Sequence, residues 1–449
     1  MQTMLACATS GYLTSTLDFD MERSKRYHNL MLTPIELGRR LRTARESCGL
    51  TQDDVATELG VSRPTIAQLE LGNRGVSGIE LGKLAFLFGR DMRELLADEY
   101  DDADPLGALF RSETEVSGDD GVVRKLRECV ALGRELTNLE RLVGIDRDVS
   151  IAATYPLPAP RTRWDAIEQG ARVAEEERRR LGLGAGPAPE LDELLETQGV
   201  RTALVDLPGD VSGLTISDPR IGLFVVANET QHATRRRFSF AHEYAHVLLD
   251  RARFGMVSRG SKRDELVEVR ANSFAACFLM PEDGVFAFIA NLGKGRPARM
   301  QLDIFDGDQS VPAETRTAPS SQDLQVYDLV LLAHHFGVST ATALYRLKNL
   351  RVLKQQEFEA LRVADEKHGQ EVAKALALPS LDHAKARAAF RRRFLGLALE
   401  ALRRGAITRS KLEELGAMQG VANEDVSRLL AETGLDAAKP ADVAIPDGG

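Results

Sequence analysis

The stretch FSFAHEYAHVLLD, residues 238–250, carries two of the eight histidines in a chain of 449 residues. Its apolar residues recur at helical spacing, so we predict a partly buried helix. Each residue of an α-helix turns about 100°, so positions four apart differ by only about 40° around the axis. His242 and His246 therefore project from one face, where both rings can reach one cation at the roughly 2.0–2.1 Å of zinc–nitrogen bonds.

Glu243 lies between these two histidines in sequence but about 100° round the helix from His242. It is poorly placed to bind the same ion and well placed to take a proton from a water that the ion holds. Zinc lowers the pKa of such a water towards neutrality, and a nearby carboxylate can then accept its proton. The pattern predicts a zinc hydrolase with Glu243 as the general base.

A catalytic zinc site needs a third protein ligand and an open position. The downstream candidates are Asp250, Asp264, Glu265, Glu268, Glu282 and Asp283. We choose Glu268, because the small Ala271 three residues on lets its helix pack closely against the histidine helix. Glu265 is the alternative. Asp250 is rejected as a ligand because it would need a third helical turn in line with both histidines.

The neighbouring sequence predicts a mixed α and β region. The segment WDAIEQGARVAEEERRRLGLG reads as an amphipathic helix, GVRTALVDL as a strand and SGLTISDPRIGLFVVAN as a hairpin. DELVEVRANSFAACFLMP reads as a second helix, which Pro281 ends. The strand IGLFVVAN is either an edge strand that pairs with an extended peptide or a plain core strand.

Three of these segments resemble the ImmA/IrrE family of zinc metallopeptidases: RRRFSFAHEYAHVLLDR, VEVRANSFAACFLMP and the hairpin ending VVAN. The resemblance covers about residues 164–282. It implies a zincin-like α+β fold in which zinc is bound by His242, His246 and Glu268 and in which Glu243 is the base. This chain has Tyr244-Ala245 where Leu-Gly is commoner in the family, and Arg270 where a further acid is frequent. The run of arginines at 235–237 is a weak candidate for stabilising the oxyanion.

The segment LTQDDVATELGVSRPTIAQLELGNRG, residues 50–75, predicts a helix from Gln52 to Leu59, a turn at Gly60 and a second helix that Ser62 caps. This is the helix-turn-helix layout, whose second helix enters the major groove. It resembles the XRE, lambda-repressor-like domains over about residues 33–98. The resemblance implies contacts with double-stranded DNA by Gln52, Ser62, Arg63, Thr65, Gln68, Asn73 and Arg74. Of these, Arg63, Thr65 and Gln68 would face base edges, and Gln52, Asn73 and Arg74 would touch phosphates.

The charge of this segment leaves an alternative open. Residues 33–98 hold nine Arg and Lys against ten Asp and Glu. Counterion release drives much of DNA affinity, so a neutral domain binds weakly alone. A homodimer could compensate, or the domain could serve protein docking or dimerisation instead.

Length alone predicts several domains. Together with the segment patterns, the two resemblances imply an all-α N-terminal helix-turn-helix domain, an α+β zincin-like peptidase core and an all-α C-terminal region. The predicted boundaries are a disordered leader (1–30), the helix-turn-helix domain (31–98), a helical connector (99–155), the peptidase domain (156–295), a linker (296–322), a helical region with a second helix-turn-helix-like unit (323–436) and a disordered tail (437–449). The net charge of −9 gives no global basic field. No apolar run is long enough for a membrane span.

Four scattered cysteines form neither a CxxC zinc module nor a disulfide framework, which favours a reducing cytoplasm. These observations favour a cytoplasmic zinc metalloendopeptidase that cleaves a regulatory protein, which the family resemblance implies is a repressor or an antitoxin. Cleavage of that protein would then derepress genes, in stress response, mobile-element control or phage defence. The alternative is a DNA-binding transcription regulator without proteolysis, whose zinc site is structural or sensing.

Overall fold

The computed structural model describes residues 32–90, 92–97, 100, 120–148, 150–208, 210–262, 264–294, 299–306, 309–316, 322–379, 383–433 and 435. The chain divides into two compact units, Met1–Ala131 and Leu132–Gly449. The leader and the tail that the sequence predicts lie outside the described residues.

The described part of the first unit contains the five short helices that the sequence predicts, followed by the start of a longer helix. They are α1 (Pro34–Ser47), α2 (Gln52–Leu59), α3 (Arg63–Glu70), α4 (Gly78–Leu87), α5 (Met92–Leu96) and α6 (Asp120–Leu142). The apolar positions of α1 to α5 form one core, in which Leu41, Val55, Ile66, Leu84 and Leu95 are buried. This all-α unit confirms the fold predicted for the N-terminal domain.

The turn between α2 and α3 is closed by local backbone chemistry. Gly60 ends α2 with a φ of 69°, a left-handed conformation that glycine adopts without penalty. Ser62 stands at the N-cap of α3, but its side chain does not cap the backbone, so that prediction is wrong. The reason is that Pro64 has no N–H to offer and the N–H of Thr65 already bonds to the carbonyl of Ser62, at 2.9 Å. The Ser62 hydroxyl instead lies 2.9 Å from the Thr65 hydroxyl.

The second unit is built around a four-stranded sheet in the order β1-β3-β2-β4. The strands are β1 (Arg201–Val205), β2 (Val211–Asp218), β3 (Gly222–Asn228) and β4 (Gly255–Arg259). β1 runs parallel to β3, whereas β2 pairs antiparallel with both β3 and β4. The predicted β2–β3 hairpin is confirmed. β4 has no counterpart in the sequence prediction, because its five residues carry no clear alternation.

Helices pack against this sheet and against one another. They are α7 (Arg163–Arg180), α8 (Leu191–Thr197), α9 (Ala233–Leu249), α10 (Leu266–Leu279) and α11 (Glu282–Asn291). α7 lies close along α10, because Gly170 has no side chain there: a Cβ at Gly170 would lie 2.8 Å from the backbone nitrogen of Phe274. α10 ends just before Pro281, as predicted, and Pro281 then stands at the N-cap of α11.

The C-terminal region is helical, as predicted. Its helices are α12 (Val326–Phe336), α13 (Thr340–Asn349), α14 (Gln355–Ala375), α15 (His383–Arg403), α16 (Arg409–Met418) and α17 (Asn423–Thr433). Gly337 ends α12 with a φ of 65° and Ser339 caps α13, so this pair repeats the helix-turn-helix pattern. Phe336 and Leu344 belong to the same apolar cluster as Tyr244 and Phe274, so α12 and α13 share the core that supports α9 and α10.

Part of the predicted linker at 296–322 forms a hairpin. Two antiparallel strands, β5 (Arg299–Asp306) and β6 (Gln309–Arg316), pair from Arg299↔Arg316 to Asp306↔Gln309. The polar composition of this segment indicated a linker. Hairpin pairing rests on backbone hydrogen bonds, which a polar sequence can also make.

Among the described helices, no single one is long and apolar enough to cross a membrane. The bent pair α10 and α11 meets the length and composition criteria only when taken together.

Candidate metal centre

The two histidines of the opening stretch lie in the middle of α9. This helix begins after His232, whose ring accepts a hydrogen bond from the N–H of Thr234, and its central residues from 239 to 248 are all buried. The Nε2 atoms of His242 and His246 lie 3.2 Å apart, so both rings point to the same place, as the spacing predicted. Both histidines are buried.

Glu268, in the first turn of α10, brings a carboxylate to these two rings. Its Oε2 lies 3.2 Å from Nε2 of His242, and its Oε1 lies 3.5 Å from Nε2 of His246. Glu268 is buried, whereas the alternative, Glu265, is exposed at the N-cap of α10. Of these two acids, the one chosen from the sequence is therefore the one that reaches the histidines.

The separations of these atoms fit a metal ion. Ligand atoms placed tetrahedrally at roughly 2.0–2.1 Å around one ion are about 3.3 Å apart. The two Nε2 atoms lie 3.2 Å apart, and the Glu268 carboxylate lies 3.2 Å from one of them through Oε2 and 3.5 Å from the other through Oε1. His242, His246 and Glu268 are the group of possible metal ligands found among the described residues. Two imidazoles and one carboxylate are a donor set that suits zinc.

Each histidine is oriented through its second ring nitrogen. Oδ1 of Asn272 lies 3.0 Å from Nδ1 of His242, and Oδ2 of Asp250 lies 3.0 Å from Nδ1 of His246. Contacts of this kind fix the ring orientation and leave Nε2 for the metal. We did not predict from the sequence that Asn272 and Asp250 orient the histidine rings. The spacing could have indicated it, because residues four apart are neighbours on a helix: Asp250 follows His246 by four residues, and Asn272 follows Glu268 by four.

Arg270 explains one departure from the family pattern. Its guanidinium donates to Oδ1 of Asp250 at 2.7 Å and to Oε1 of Gln169 at 3.2 Å. Both Arg270 and His246 therefore hold the Asp250 carboxylate. Arg270 therefore supports the carboxylate that contacts His246. Its positive charge excludes it as a metal ligand, so Glu268 is left without a competing acid at that position.

The contacts within the cluster set the ionisation of its members. Burial lowers the pKa of His246, but hydrogen bonds with Asp250 and Glu268 outweigh it and raise that pKa to about 10. Burial raises the pKa of Glu268, but its hydrogen bonds with His242 and His246 outweigh that effect and hold the pKa well below its usual range. A buried carboxylate that retains its charge between two imidazoles is an environment into which a divalent ion fits.

Glu243 lies next to this cluster and is completely buried. The Thr215 hydroxyl donates to its Oε2 at 2.7 Å. Its Oε1 makes no hydrogen bond of good geometry among the residues that the structure describes, although the buried Ser258 hydroxyl of β4 lies close enough to the carboxyl to lower its pKa. Burial raises the pKa of the carboxyl, which makes the carboxylate a stronger base than an exposed glutamate.

Tyr244, the second departure from the family pattern, faces away from the ligands. Its hydroxyl donates to Oε1 of the buried Glu177, whose Oε2 accepts from Tyr155 at 2.9 Å and from Arg180 at 2.8 Å. Tyr244 thus ties α9 to α7. It takes the place of a leucine without leaving its polar atom unpaired.

The basic run at 235–237 divides into two roles. Arg236 and Arg237 donate to backbone carbonyls, Arg236 to Glu229 at 3.3 Å and Arg237 to Pro189 at 2.9 Å. These contacts support the start of α9. Arg235 is exposed and lies over the ring of Phe238. No contact described here connects any of the three with the metal ligands.

The three residues expected to face bases lie along α3. Arg63 is exposed, with its Nε 3.9 Å from Oδ2 of Asp53. Thr65 is half-buried and bonds to Ser62, whereas Gln68 is exposed. Exposed side chains on the second helix of the α2–α3 pair are placed as a DNA-reading helix requires.

The residues expected to contact phosphates have partners within the unit. Gln52 donates to Oε2 of Glu70 at 2.9 Å, and Arg74 donates to Oε1 of Glu80 at 2.8 Å. Asn73 donates to the side chain of Gln68 at 3.0 Å. DNA binding through Gln52 or Arg74 would therefore compete with an acidic side chain of the same unit.

Comparison with known families agrees with both halves of this description. Residues 196–294 match the family model Peptidase_M78, described as the IrrE N-terminal-like domain. Residues 36–98 match a model described as a helix-turn-helix domain. The comparison with curated proteins found no match. One polypeptide therefore carries a segment similar to the IrrE N-terminal-like domain and a separate N-terminal segment similar to a helix-turn-helix domain.

Proposed function

We propose that the chain is a zinc-dependent metalloendopeptidase that cleaves a regulatory protein, either a repressor or an antitoxin. The observation that carries this proposal is the buried Glu243 carboxylate beside a buried cluster of three possible metal ligands, His242, His246 and Glu268. A structural zinc site has four protein ligands, whereas a catalytic site has three and keeps one position open. Among the described residues the cluster has three members, and a carboxylate with one oxygen that makes no hydrogen bond of good geometry stands next to it.

Zinc held by His242, His246 and Glu268 would supply Lewis-acid catalysis, polarising the scissile carbonyl and acidifying the attacking water. Glu243 would accept the proton of that water on Oε1, while Thr215 holds Oε2. Glu243 would then deliver the proton to the leaving amine nitrogen as the peptide bond breaks. Asn272 and Asp250 would keep the two imidazoles oriented.

Among the described strands of this sheet, β1 and β4 lie at the edges. The IGLFVVAN strand, β3, is internal, so the edge-strand reading of that segment is wrong. At the β1 edge, Thr202 is already occupied: its N–H donates to Glu196 at 2.9 Å and its carbonyl accepts from Arg393 at 2.9 Å. β4 pairs with β2 on one side only. We propose β4 as the strand against which a substrate peptide pairs.

The helix-turn-helix domain would bring the peptidase to its target, by binding double-stranded DNA or a partner protein. Cleavage of a repressor or antitoxin there would derepress genes, in stress response, mobile-element control or phage defence. A homodimer would add a second set of phosphate contacts to a domain whose own charge is close to neutral. The cytoplasmic location stays a prediction from the cysteine pattern.

The proposed activity is tested by searching for new protein N-termini. Zinc-loaded and manganese-loaded protein is incubated with an extract of the native host, and new N-termini are labelled at their amines and identified by mass spectrometry. We expect a small set of cleavage sites that appear with the wild type and are lost with Glu243→Gln. If neither metal gives sites that depend on Glu243, while wild type and variant retard the same DNA fragments, the transcription-regulator alternative replaces the peptidase.

A further inference from the structure

The carboxylate of Glu243 is positioned by strand β2 rather than by its own helix. Thr215 of β2 donates its hydroxyl to Oε2 of Glu243 at 2.7 Å, and the same hydroxyl lies 3.2 Å from the backbone carbonyl of Glu243. Both side chains are buried. Thr215 therefore restrains one oxygen of the carboxylate and the helical turn from which it projects.

Gly213 faces the other oxygen. It precedes Thr215 by two residues, so both lie on the same face of the strand. A Cβ at Gly213 would lie 2.8 Å from Cδ and 2.9 Å from Cγ of Glu243, and closer still to Oε1. Its φ is not in the left-handed region, so a residue with a side chain could adopt this backbone. The glycine is needed here for space and not for conformation.

The backbone around Gly213 is held in an irregular form. The register between β2 and β4 shifts between Val211 and Gly213. Such bulges bend a strand locally and often occur beside active sites. Asn228, at the end of β3, donates to the carbonyls of Leu207 and Val211 at 2.9 Å each, and so fixes the start of β2 at this bulge.

We propose that Gly213 and Thr215 form a clamp that positions the general base. Thr215 holds Oε2 of Glu243 by a hydrogen bond, and Gly213 leaves the space in which Oε1 lies. The clamp leaves one carboxylate oxygen available to exchange a proton and fixes its position. Its role in catalysis rests on the proposed peptidase function. The contact between Gly213 and Glu243 can be tested without any substrate.

The contact is tested by a double-mutant cycle in melting temperature, measured on the full-length protein without metal. We expect Gly213→Ala to lower the melting temperature by about 3 °C or more, because the new methyl group meets the Glu243 side chain. In a Glu243→Ala background the same substitution should cost less than about 1 °C, since every one of those atoms has been removed. Gly186→Ala is the matched control, because a Cβ there meets nothing within 4 Å. An equal loss in both backgrounds would show that Glu243 is not what Gly213 accommodates.

The role of Thr215 is tested by Thr215→Val, which removes the hydroxyl at nearly constant volume, and by Thr215→Ser, which restores it. Crystal structures should show the Glu243 carboxylate displaced or split between positions in the valine variant and restored in the serine variant. Metal affinity, measured by competition with a chelator, should stay within about twofold in both, because the ligands are untouched. An unmoved carboxylate in the valine variant would overturn the clamp. Failure to find any cleaved substrate would count against the peptidase and leave this result standing.

Discussion

Oδ2 of Asp250 lies 3.0 Å from Nδ1 of His246, one helical turn away, so a carboxylate rejected as a metal ligand from the sequence orients a ligand instead. Arg270 holds the other oxygen of the same carboxylate at 2.7 Å. The candidate metal centre therefore includes residues outside the His-Glu-x-x-His pattern, which contact the histidines rather than the ion. Asn272 does the same for His242 on the opposite side.

We predict that Asp250→Ala lowers zinc affinity about 10- to 100-fold, the usual cost of losing a group that orients a metal-bound histidine. The measurement is competition with a chromophoric chelator at pH 7.5. Asp264→Ala is the control, because Asp264 is an exposed acid that pairs with Arg163. Equal affinity in the wild type and in Asp250→Ala would remove Asp250 from the metal centre.

Zinc binding should depend on Glu268 as the third ligand. We predict that Glu268→Ala binds less than one zinc ion per chain after dialysis, whereas Glu265→Ala retains one. Binding to the folded state alone stabilises a protein by about 2.7 kcal/mol when the metal is present at 100 times its dissociation constant. The difference in melting temperature between zinc-loaded and chelator-treated protein should therefore vanish in Glu268→Ala only. A zinc-dependent shift of wild-type size in that variant would contradict the assignment.

Glu243 should be dispensable for metal binding and needed for cleavage. We predict that Glu243→Gln keeps zinc at wild-type stoichiometry and lowers the rate at any identified cleavage site by about 10²- to 10⁴-fold, the range expected for a lost general base. The two readings come from metal analysis and from the time course of product formation. A variant that cuts at the wild-type rate would show that another group moves the proton.

The ligands could be predicted because helix geometry alone brings two histidines four residues apart to one side, and the order of helices then limited the third ligand to a few acids. The positions of Asp250 and Arg270 could not be predicted in the same way. Whether a carboxylate one turn from a histidine binds the ion or the ring depends on the crossing of α9 and α10, which no short sequence window contains.

The strand pattern shows the same limit. The alternation of β2 and β3 predicted a hairpin, but the position of IGLFVVAN inside the sheet depends on β1, which pairs with its other side. Gly213 carried no local signal either. Its contact with Glu243 is between residues 30 positions apart, and only the packing of α9 on β2 shows it.

The network around Glu177 should give the protein a specific pH dependence. Burial raises the pKa of Glu177, but hydrogen bonds from Arg180, Tyr244 and Tyr155 outweigh it and hold that pKa below the ordinary 4.5. Since the unfolded chain takes up the proton first as pH falls, the stabilisation is complete above about pH 4.5 and is lost as pH falls through the lowered value. We predict that Glu177→Gln melts several degrees below wild type at pH 7 and that the gap narrows below pH 4.5. Unfolding monitored by circular dichroism from pH 7 to 3 tests this, and a gap that does not change with pH would refute it.

DNA binding by the helix-turn-helix domain should depend on α3. We predict that Arg63→Ala and Gln68→Ala each weaken binding to a selected DNA sequence by about 1–3 kcal/mol, the cost of losing a good base contact. Arg42→Ala, which removes an exposed arginine of α1 paired with Glu46, is the control. The test is selection from a random DNA pool, followed by mobility-shift titration. If no sequence is enriched, protein docking becomes the function of this domain.

The central claim, that side chains from two helices hold one divalent ion, is tested most directly by anomalous scattering at the zinc edge from crystals grown with zinc. We predict one strong peak within about 2.0–2.2 Å of Nε2 of His242, Nε2 of His246 and a carboxylate oxygen of Glu268, still present in Glu243→Gln. A peak elsewhere, or none at this cluster in zinc-saturated crystals, would contradict the account.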